Sequence, residues 1–257
     1  MKPVTLITGA SSGIGAAIAD KFASQGRQLV LVARREAQLA AVADQIAACG
    51  HARPQLLALD LGQTDAAARL SAALADRGLE PDIVVNSAGF GMLGPAASID
   101  RGEQLAMIDL NVRFTTDLSL RFIDSLERHR GGILNVSSVL GFLPGPGMAV
   151  YHATKAYMLS FSLALHQELK PRGVRVTALC PGPVDTEFGV RPVGRISRRL
   201  IRTVERVARD GVDGFMAGRS VVVPGRSIQF LAMLPRMLPR SAILAMVGAS
   251  RRQNREG

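Results

Sequence analysis

Short apolar runs punctuate the chain at 4–8, 29–33, 55–59, 83–86, 132–137 and 174–179. Several are apolar at every position rather than at alternate ones, the pattern of parallel strands buried on both faces. Between them lie segments of helical periodicity, at about 14–25, 35–48, 64–76, 102–128 and 151–170, the last stopped by Pro171-Arg172-Gly173. Strands and helices that alternate in this way predict βαβ crossovers and an α/β fold, a doubly wound parallel sheet with helices on both faces. A last apolar run at 221–223, followed by Pro224-Gly225, brings the expected sheet to about seven strands. No internal repeat, low-complexity tract or long linker divides residues 1–257, so a single domain is expected, with a C-terminal helical extension over 226–252.

Composition adds little to this picture and charge adds something. At 47% hydrophobic the chain can bury a sizeable core. Its two cysteines, Cys49 and Cys180, suggest no disulfide framework, and there is no metal-binding spacing, so no metal is expected. The first apolar run begins at Val4 and leaves no room for a secretion signal, and no stretch reaches the roughly 20 apolar residues of a membrane span, which points to the cytoplasm. The net charge of +10 is uneven: residues 1–190 are balanced, and the whole excess lies in 191–257, carried by Arg. A basic region of this kind suits an acidic ligand, a membrane surface or nucleic acid, or follows from an Arg-rich composition alone, since Arg greatly outnumbers Lys.

Ligands of doubly wound sheets bind at the C-terminal ends of the strands, so the strand ends carry the functional reading. The first ends in Thr8-Gly9-Ala10-Ser11-Ser12-Gly13-Ile14-Gly15. Gly9 permits a tight turn, Gly13 a close backbone approach to a diphosphate, and Gly15 close packing of a helix whose N–H groups face the anion. The second ends in Ala33-Arg34-Arg35, without the carboxylate that reads a free ribose 2′-hydroxyl. Two guanidiniums suit a 2′-phosphate and favour NADP(H) over NAD(H), unless they only begin the next helix on a solvated face. Asp60, followed by Leu61, either faces an adenine amino group or caps a helix near 63–64. Asn86, ahead of Ser87, Ala88 and Gly89, either pins neighbouring strands beside the cofactor or is a turn residue. Asn111 lies within the long helix 102–128, an unfavourable place for Asn unless its side chain is used.

Thirteen residues after Ser138, at the end of the fifth strand, comes Tyr151, then Lys155 one helical turn later. Such a pair is either an exposed helix couple or a phenol held beside an ammonium. His152 and His166 on the same helix read as surface or packing residues.

With these positions in view, the chain resembles the short-chain dehydrogenase/reductase family over about residues 3–190. The resemblance rests on the Thr8–Gly15 turn, Asp60, the 86–89 tetrapeptide, Asn111, Ser138, the Tyr151/Lys155 pair, and Pro181-Gly182 with Thr186. Ser87 stands where the family more often has Asn, and Ser12 is neutral where many NADP-preferring members carry a cation. The resemblance implies a Rossmann-type fold and an NAD(P)-dependent enzyme that interconverts a carbonyl and an alcohol. Tyr151 would exchange the proton at oxygen. Lys155 would lower the phenol's pKa and hold the nicotinamide ribose, Ser138 would bind the substrate oxygen, and Asn111 would hold a water that relays protons to Lys155. Thr186 would fix the carboxamide, with Pro181, Gly182 and Val184 alongside.

The C-terminal quarter departs from the commonest pattern and resembles a branch related to keto-acyl and steroid reductases. Residues 185–218 are expected to cover the active site, and Leu140, Phe142 and Phe188 are candidate substrate contacts. Apolar residues and Arg side chains together suit a substrate with an apolar portion and an anionic handle, such as a 3-oxoacyl thioester on coenzyme A or a carrier protein, although 185–218 reads equally as a solvated amphipathic helix. A steroid or small-alcohol dehydrogenase is a rival, and a cofactor-binding sensor or scaffold without turnover is a rival of another class. The tail 226–252 packs on the core, on a second subunit or, less favoured, on a membrane. A homodimer or homotetramer formed through helices 102–128 and 151–170 is expected, and nucleic acid is not, because the basic region lacks aromatic residues for stacking.

Overall fold

The computed structural model describes residues 1–184, 201–225 and 228–229. Seven strands, β1 (Lys2–Thr8), β2 (Leu29–Ala33), β3 (Gln55–Ala58), β4 (Leu79–Asn86), β5 (Gly132–Val136), β6 (Arg175–Leu179) and β7 (Val221–Val222), form one sheet in the order β3-β2-β1-β4-β5-β6-β7. Every pair is parallel. The helices are α1 (Gly13–Ala23), α2 (Glu36–Ala48), α3 (Ala66–Ala75), α4 (Arg101–Ile108), α5 (Thr115–Arg121), α6 (Ile123–Arg128), α7 (Ala149–Leu169) and α8 (Val204–Met216).

The continuous apolar runs have the expected cause. Leu6, Val30, Val32, Val84, Ile133 and Val176 point to one face, where α3, α5 and α7 bring Leu70, Leu74, Leu118, Leu165 and Leu169. Ile7, Leu29, Leu31, Val85, Leu134 and Leu179 point to the other, against Ile18 and Phe22 of α1, Leu39 and Ile46 of α2, and Val207, Val212 and Phe215 of α8. Each such side chain contributes about 1.5–3 kcal/mol when fully buried. Strand order reverses between β1 and β4, whose ends pair as Thr8 with Asn86. A crevice for ligand opens at this switch point.

The helix expected over 102–128 is broken. Between α4 and α5 the chain makes a π turn, Asp109–Phe114, which contains Asn111, and a second break at Phe122 separates α6. A π turn inserts one extra residue into the helical ladder, which rotates the side chains that follow. The strand expected over 83–86 starts earlier, at Leu79. Pro81 interrupts the run, and the register with β1 shifts between Val4 and Thr5 opposite it, the bulged setting in which a sheet tolerates a residue that has no N–H.

Residues 204–216, within the region expected to cover the active site, form α8. Its buried face packs on α1, with the Phe22 and Phe215 rings edge to face at 6.3 Å, so this half of the region is core. The other half, 185–200, with Thr186 and Phe188, lies outside the described residues, as does nearly all of the tail 226–252. Among the described residues no helix is long and apolar enough to cross a membrane.

Candidate active site

At the end of β1 the backbone is drawn tight. Gly9 has φ +66°, and a Cβ there would sit 2.7 Å from the Ala88 backbone. Gly15 lies so close to Gly9 that a Cβ would make an impossible contact with its carbonyl oxygen. Gly13 is also left-handed, at φ +56°. Ser12 precedes α1 without capping it, and the first turn holds no acidic residue. The N–H groups at the start of α1, from Gly13, Ile14 and Gly15, therefore face the crevice in a positive field with no side-chain acceptor. The Thr8 hydroxyl accepts from the N–H groups of Ser87 and Ala88, at 3.2 and 3.3 Å, and fixes the β4 loop against this turn.

Arg35 donates to the Ser11 hydroxyl (3.1 Å) and the Ser12 hydroxyl (2.7 Å), so its guanidinium lies over the turn. Arg34 is exposed and close enough to Asp60 to help hold that carboxyl below its ordinary pKa, although the main cause is the Gly62 N–H, at 3.1 Å. Asp60 thus braces its own loop, with Gln63 on its second oxygen and Leu61 buried beside it. These features fit an extended dinucleotide: bare helix N–H groups for its diphosphate, no room for side chains in the turn, and guanidiniums beside the end of β2.

Asn86 pins strands, one of the two roles open to it. It donates to Asn135 on β5 (2.8 Å) and to Ser119 on α5 (3.0 Å), and Asn135 donates to Ser162 on α7 (2.9 Å). This buried polar chain crosses the sheet directly behind the next cluster and ties α5 and α7 to the strands between them.

On α7 the buried stripe runs through Tyr151, Thr154, Lys155, Met158, Leu159, Ser162, Leu165 and Leu169. The pair is therefore not an exposed couple: Tyr151 is 7% and Lys155 6% exposed. Ser138 follows β5 and starts a 3-10 turn, Val139–Phe142. Its oxygen accepts from the Leu140 N–H at 3.1 Å, which leaves its O–H to donate, and the two hydroxyls of Ser138 and Tyr151 hydrogen-bond. The Lys155 ammonium lies 5.7 Å from the centre of the Tyr151 ring and donates to the Val136 carbonyl at 2.9 Å.

Burial moves both groups towards neutrality. The phenol is pushed up to about 12, with Ser138 opposing weakly. The ammonium is brought down to about 8. Desolvation is the largest influence on the phenol, and Lys155 is itself desolvated.

Asn111 is 2% exposed. Its Oδ1 accepts from the Phe90 N–H (3.1 Å), and its Nδ2 donates to the Phe90 carbonyl (2.9 Å) and to Thr154 (3.2 Å). The side chain is committed to holding the loop after β4 against α7. Gly89 sits within this loop, where a Cβ would be 2.8 Å from Asn111 Oδ1 and 3.6 Å from Lys155 Nζ.

Four further residues shape the site. Ser137 donates to the Lys155 carbonyl (2.8 Å), Thr154 supports Asn111, Gly91 lies flat on the Tyr151 ring, and buried Cys180 lies near Lys155, its thiol pushed up to about 12 by burial. Of these, only Thr154 had a visible signal, a polar residue on the buried stripe of α7. His152 is buried and binds the Leu143 carbonyl (2.8 Å), and His166 binds the Val176 carbonyl (2.8 Å), so both serve packing. Leu140 packs beside Tyr151. Phe142 does not: it joins Leu159, Ala178 and Cys180 in a separate cluster, about two turns further along the buried stripe of α7. Pro181 accepts from the Val139 N–H (3.0 Å), Gly182 packs on Ile228, and Val184 pairs with Arg202, which brings this loop beside Ser138.

Residues 3–192 match the short chain dehydrogenase family. A serine 3-dehydrogenase of Agrobacterium fabrum is 33% identical over 216 residues, 82% of this chain and 85% of that protein. A short-chain dehydrogenase of Sphingobium yanoikuyae, solved in complex with NADPH, superposes with a TM-score of 0.76 at 31% identity, over 91% of this chain and 93% of that one. A short-chain dehydrogenase/reductase of Burkholderia phymatum, solved in complex with NAD, gives 0.78 at 25% identity, over 91% and 92%. The chain belongs to the short-chain dehydrogenase/reductase family. It is an oxidoreductase acting on alcohol and carbonyl groups, with a nicotinamide cofactor.

Proposed function

We propose that the protein is an NADP(H)-dependent reductase of an apolar carbonyl compound, with Tyr151 as the proton donor. The observation that carries this reading is the burial of Tyr151, Ser138 and Lys155 together at the mouth of the crevice. Bound there, the reduced nicotinamide supplies the hydride. Ser138, its oxygen already occupied by Leu140, donates its O–H to the substrate oxygen and stabilises the charge that develops. Tyr151 gives its proton to that oxygen as the new C–H bond forms. A phenol pushed up to about 12 arrives protonated at neutral pH, ready to donate. Lys155, brought down to about 8, holds an exchangeable proton at neutral pH and returns one to the phenolate. Asn111 keeps the Gly89–Phe90 turn in place beside the ammonium. In the oxidative direction the phenol must first lose its proton.

Arg34 and Arg35 support the choice of NADP(H), Arg35 being held over the turn by Ser11 and Ser12. Thr186 is assigned to the carboxamide by resemblance, and Phe188 to the substrate as an apolar residue of the covering region. A second copy of the chain docks through α4, α5 and α7, a reading supported by exposed Leu105, Ile108, Leu120 and Tyr157.

Carbonyl-dependent oxidation of NADPH tests the reading against a sensor without turnover. Oxidation with a neutral ketone is expected, and tight NADPH binding without oxidation of any carbonyl contradicts it. Arg35→Ala weakens NADPH about tenfold and NADH less than twofold, and equal affinity of the wild type for both cofactors removes the 2′-phosphate assignment.

A further inference from the structure

Tyr151 is the third residue of α7, so it stands in a first turn whose N–H groups find no carbonyl within the helix. Met148, at the cap position, supplies no side-chain bond to that turn. The segment that leads into it, Leu143-Pro144-Gly145-Pro146-Gly147, comes straight from the 3-10 turn begun by Ser138 and holds two prolines, which have no N–H to anchor it. The direction in which α7 starts, and with it the place of the phenol beside the Ser138 hydroxyl, has to be fixed by other means.

His152, the next residue, supplies them. It is 3% exposed. Its Nδ1 bonds the Leu143 carbonyl at 2.8 Å, and because a carbonyl only accepts, Nδ1 carries the proton and donates. Gly145, buried between two exposed prolines, lies so flat on the imidazole that a Cβ there would run into the ring. The Gly145 carbonyl accepts from the Met148 N–H (3.0 Å), and the Met148 carbonyl from the His152 N–H (3.0 Å). A side chain at the fourth position of the helix thus grips the segment ahead of the cap, where in other helices a pair of apolar residues fixes the entry angle of the chain. His166 gives an internal contrast: its Nδ1 makes the same bond, to the Val176 carbonyl at 2.8 Å, from the far end of α7. The geometry points to His152 as a positioning residue, which holds Leu143–Gly147 against the first turn of α7 and so sets the Tyr151 hydroxyl against that of Ser138. This rests on the reading of Tyr151 as proton donor and adds a residue that acts through it.

Two measurements test this. Tyrosine occurs only at 151 and 157, so labelling the tyrosine Cζ with 13C gives two resonances, assigned by Tyr157→Phe. His152→Leu is expected to shift or broaden that of Tyr151, and His166→Leu to leave it in place. The second measurement is single-turnover oxidation of bound NADPH by heptan-2-one. His152→Leu should be slower by about 10–100-fold, and Gly145→Ala, which drives the imidazole off the segment, should be slowed alike. His152→Asn, whose amide still donates to the Leu143 carbonyl, should stay within about threefold of the wild type. His166→Leu breaks an equivalent bond and should lower the melting temperature as much as His152→Leu, by about 2–6 °C, yet keep the wild-type rate. NADPH affinity is unchanged in all four. Rates that fall equally in the two Leu variants, or a Tyr151 resonance that His152→Leu leaves in place, overturn the inference. Should His152→Leu not fold, Gly145→Ala carries both measurements. Absence of turnover by the wild type removes the proton-donor reading alone, and the Tyr151 resonance still decides the inference.

Discussion

At the β1–α1 turn the working groups are backbone N–H bonds, exposed because glycines keep side chains away. Beside α7 they are buried side chains, each made costly by its surroundings: a phenol held protonated, an ammonium brought down to about 8, a thiol that burial keeps neutral. The first end is built by the fold, and its requirements are steric. The second is built against the fold, since a charge taken out of water lowers stability in exchange for chemistry. Substitutions at the two ends should therefore fail in different ways.

The largest effect is expected at the backbone end. Gly15→Val drives a side chain into the Gly9 carbonyl, and should lower stability by about 3 kcal/mol, roughly 10 °C in melting temperature, and abolish nucleotide binding. Thermal unfolding and cofactor titration read both, and a variant with normal stability and affinity breaks the steric account. At the side-chain end, Ser138→Ala removes one donor to the developing oxyanion. It should slow kcat by about 10²–10³-fold, with cofactor affinity and melting temperature nearly unchanged. A loss seen only in KM would reassign Ser138 to substrate binding.

Lys155→Met sharpens the contrast, because the same change should abolish activity and raise stability. The ammonium's pKa falls from 10.5 unfolded to about 8 folded, so between those values the unfolded chain holds a proton that the folded chain has released. Stability of the wild type therefore rises with pH from about 8 to 10.5, and the penalty is fully present below 8. The Met variant should be more stable by about 1–3 kcal/mol at pH 7, with the difference fading towards pH 10. Denaturant unfolding at the two pH values checks it, and a pH-independent difference would mean that charge burial is not the cause. The smallest effect is expected from Phe142→Leu. It should cost about 1 kcal/mol of stability and leave KM within twofold, and a tenfold change in KM would put Phe142 back in the substrate site.

The same division explains what was legible in the sequence. The glycine turn is a steric device, and steric devices leave fixed spacings, so Gly9, Gly13 and Gly15 declare themselves beside an apolar strand. Strands buried on both faces write uninterrupted apolar runs, which made the parallel sheet readable, and the stripe on α7 carried Tyr151 and Lys155 with it. The π turn at Asp109–Phe114 was not readable, because one extra residue in a helix does not disturb composition. Asn111 was noticed as a misfit without revealing that it grips Phe90. The start of β4 was not readable, because Leu79–Asp82 mixes Pro with acidic residues and the sheet accommodates Pro81 by a register shift. α8 was taken with the lid region because an amphipathic helix carries the same pattern over a pocket as over a core, and only its contact with Phe22 tells them apart. Phe142 and Leu140, two residues apart, are equally apolar, and the 3-10 turn sends one beside Tyr151 and the other beside Leu159, about two turns along α7.

The central claim is that the Tyr151 hydroxyl delivers the proton to the substrate oxygen. Single-turnover oxidation of bound NADPH by a saturating neutral ketone, wild type against Tyr151→Phe, tests it most directly, since Phe keeps the ring that packs on Gly91 and removes only the hydroxyl. The account predicts a rate lower by about 10³-fold or more, with NADPH affinity within twofold of the wild type. Equal rates for the two proteins would contradict it.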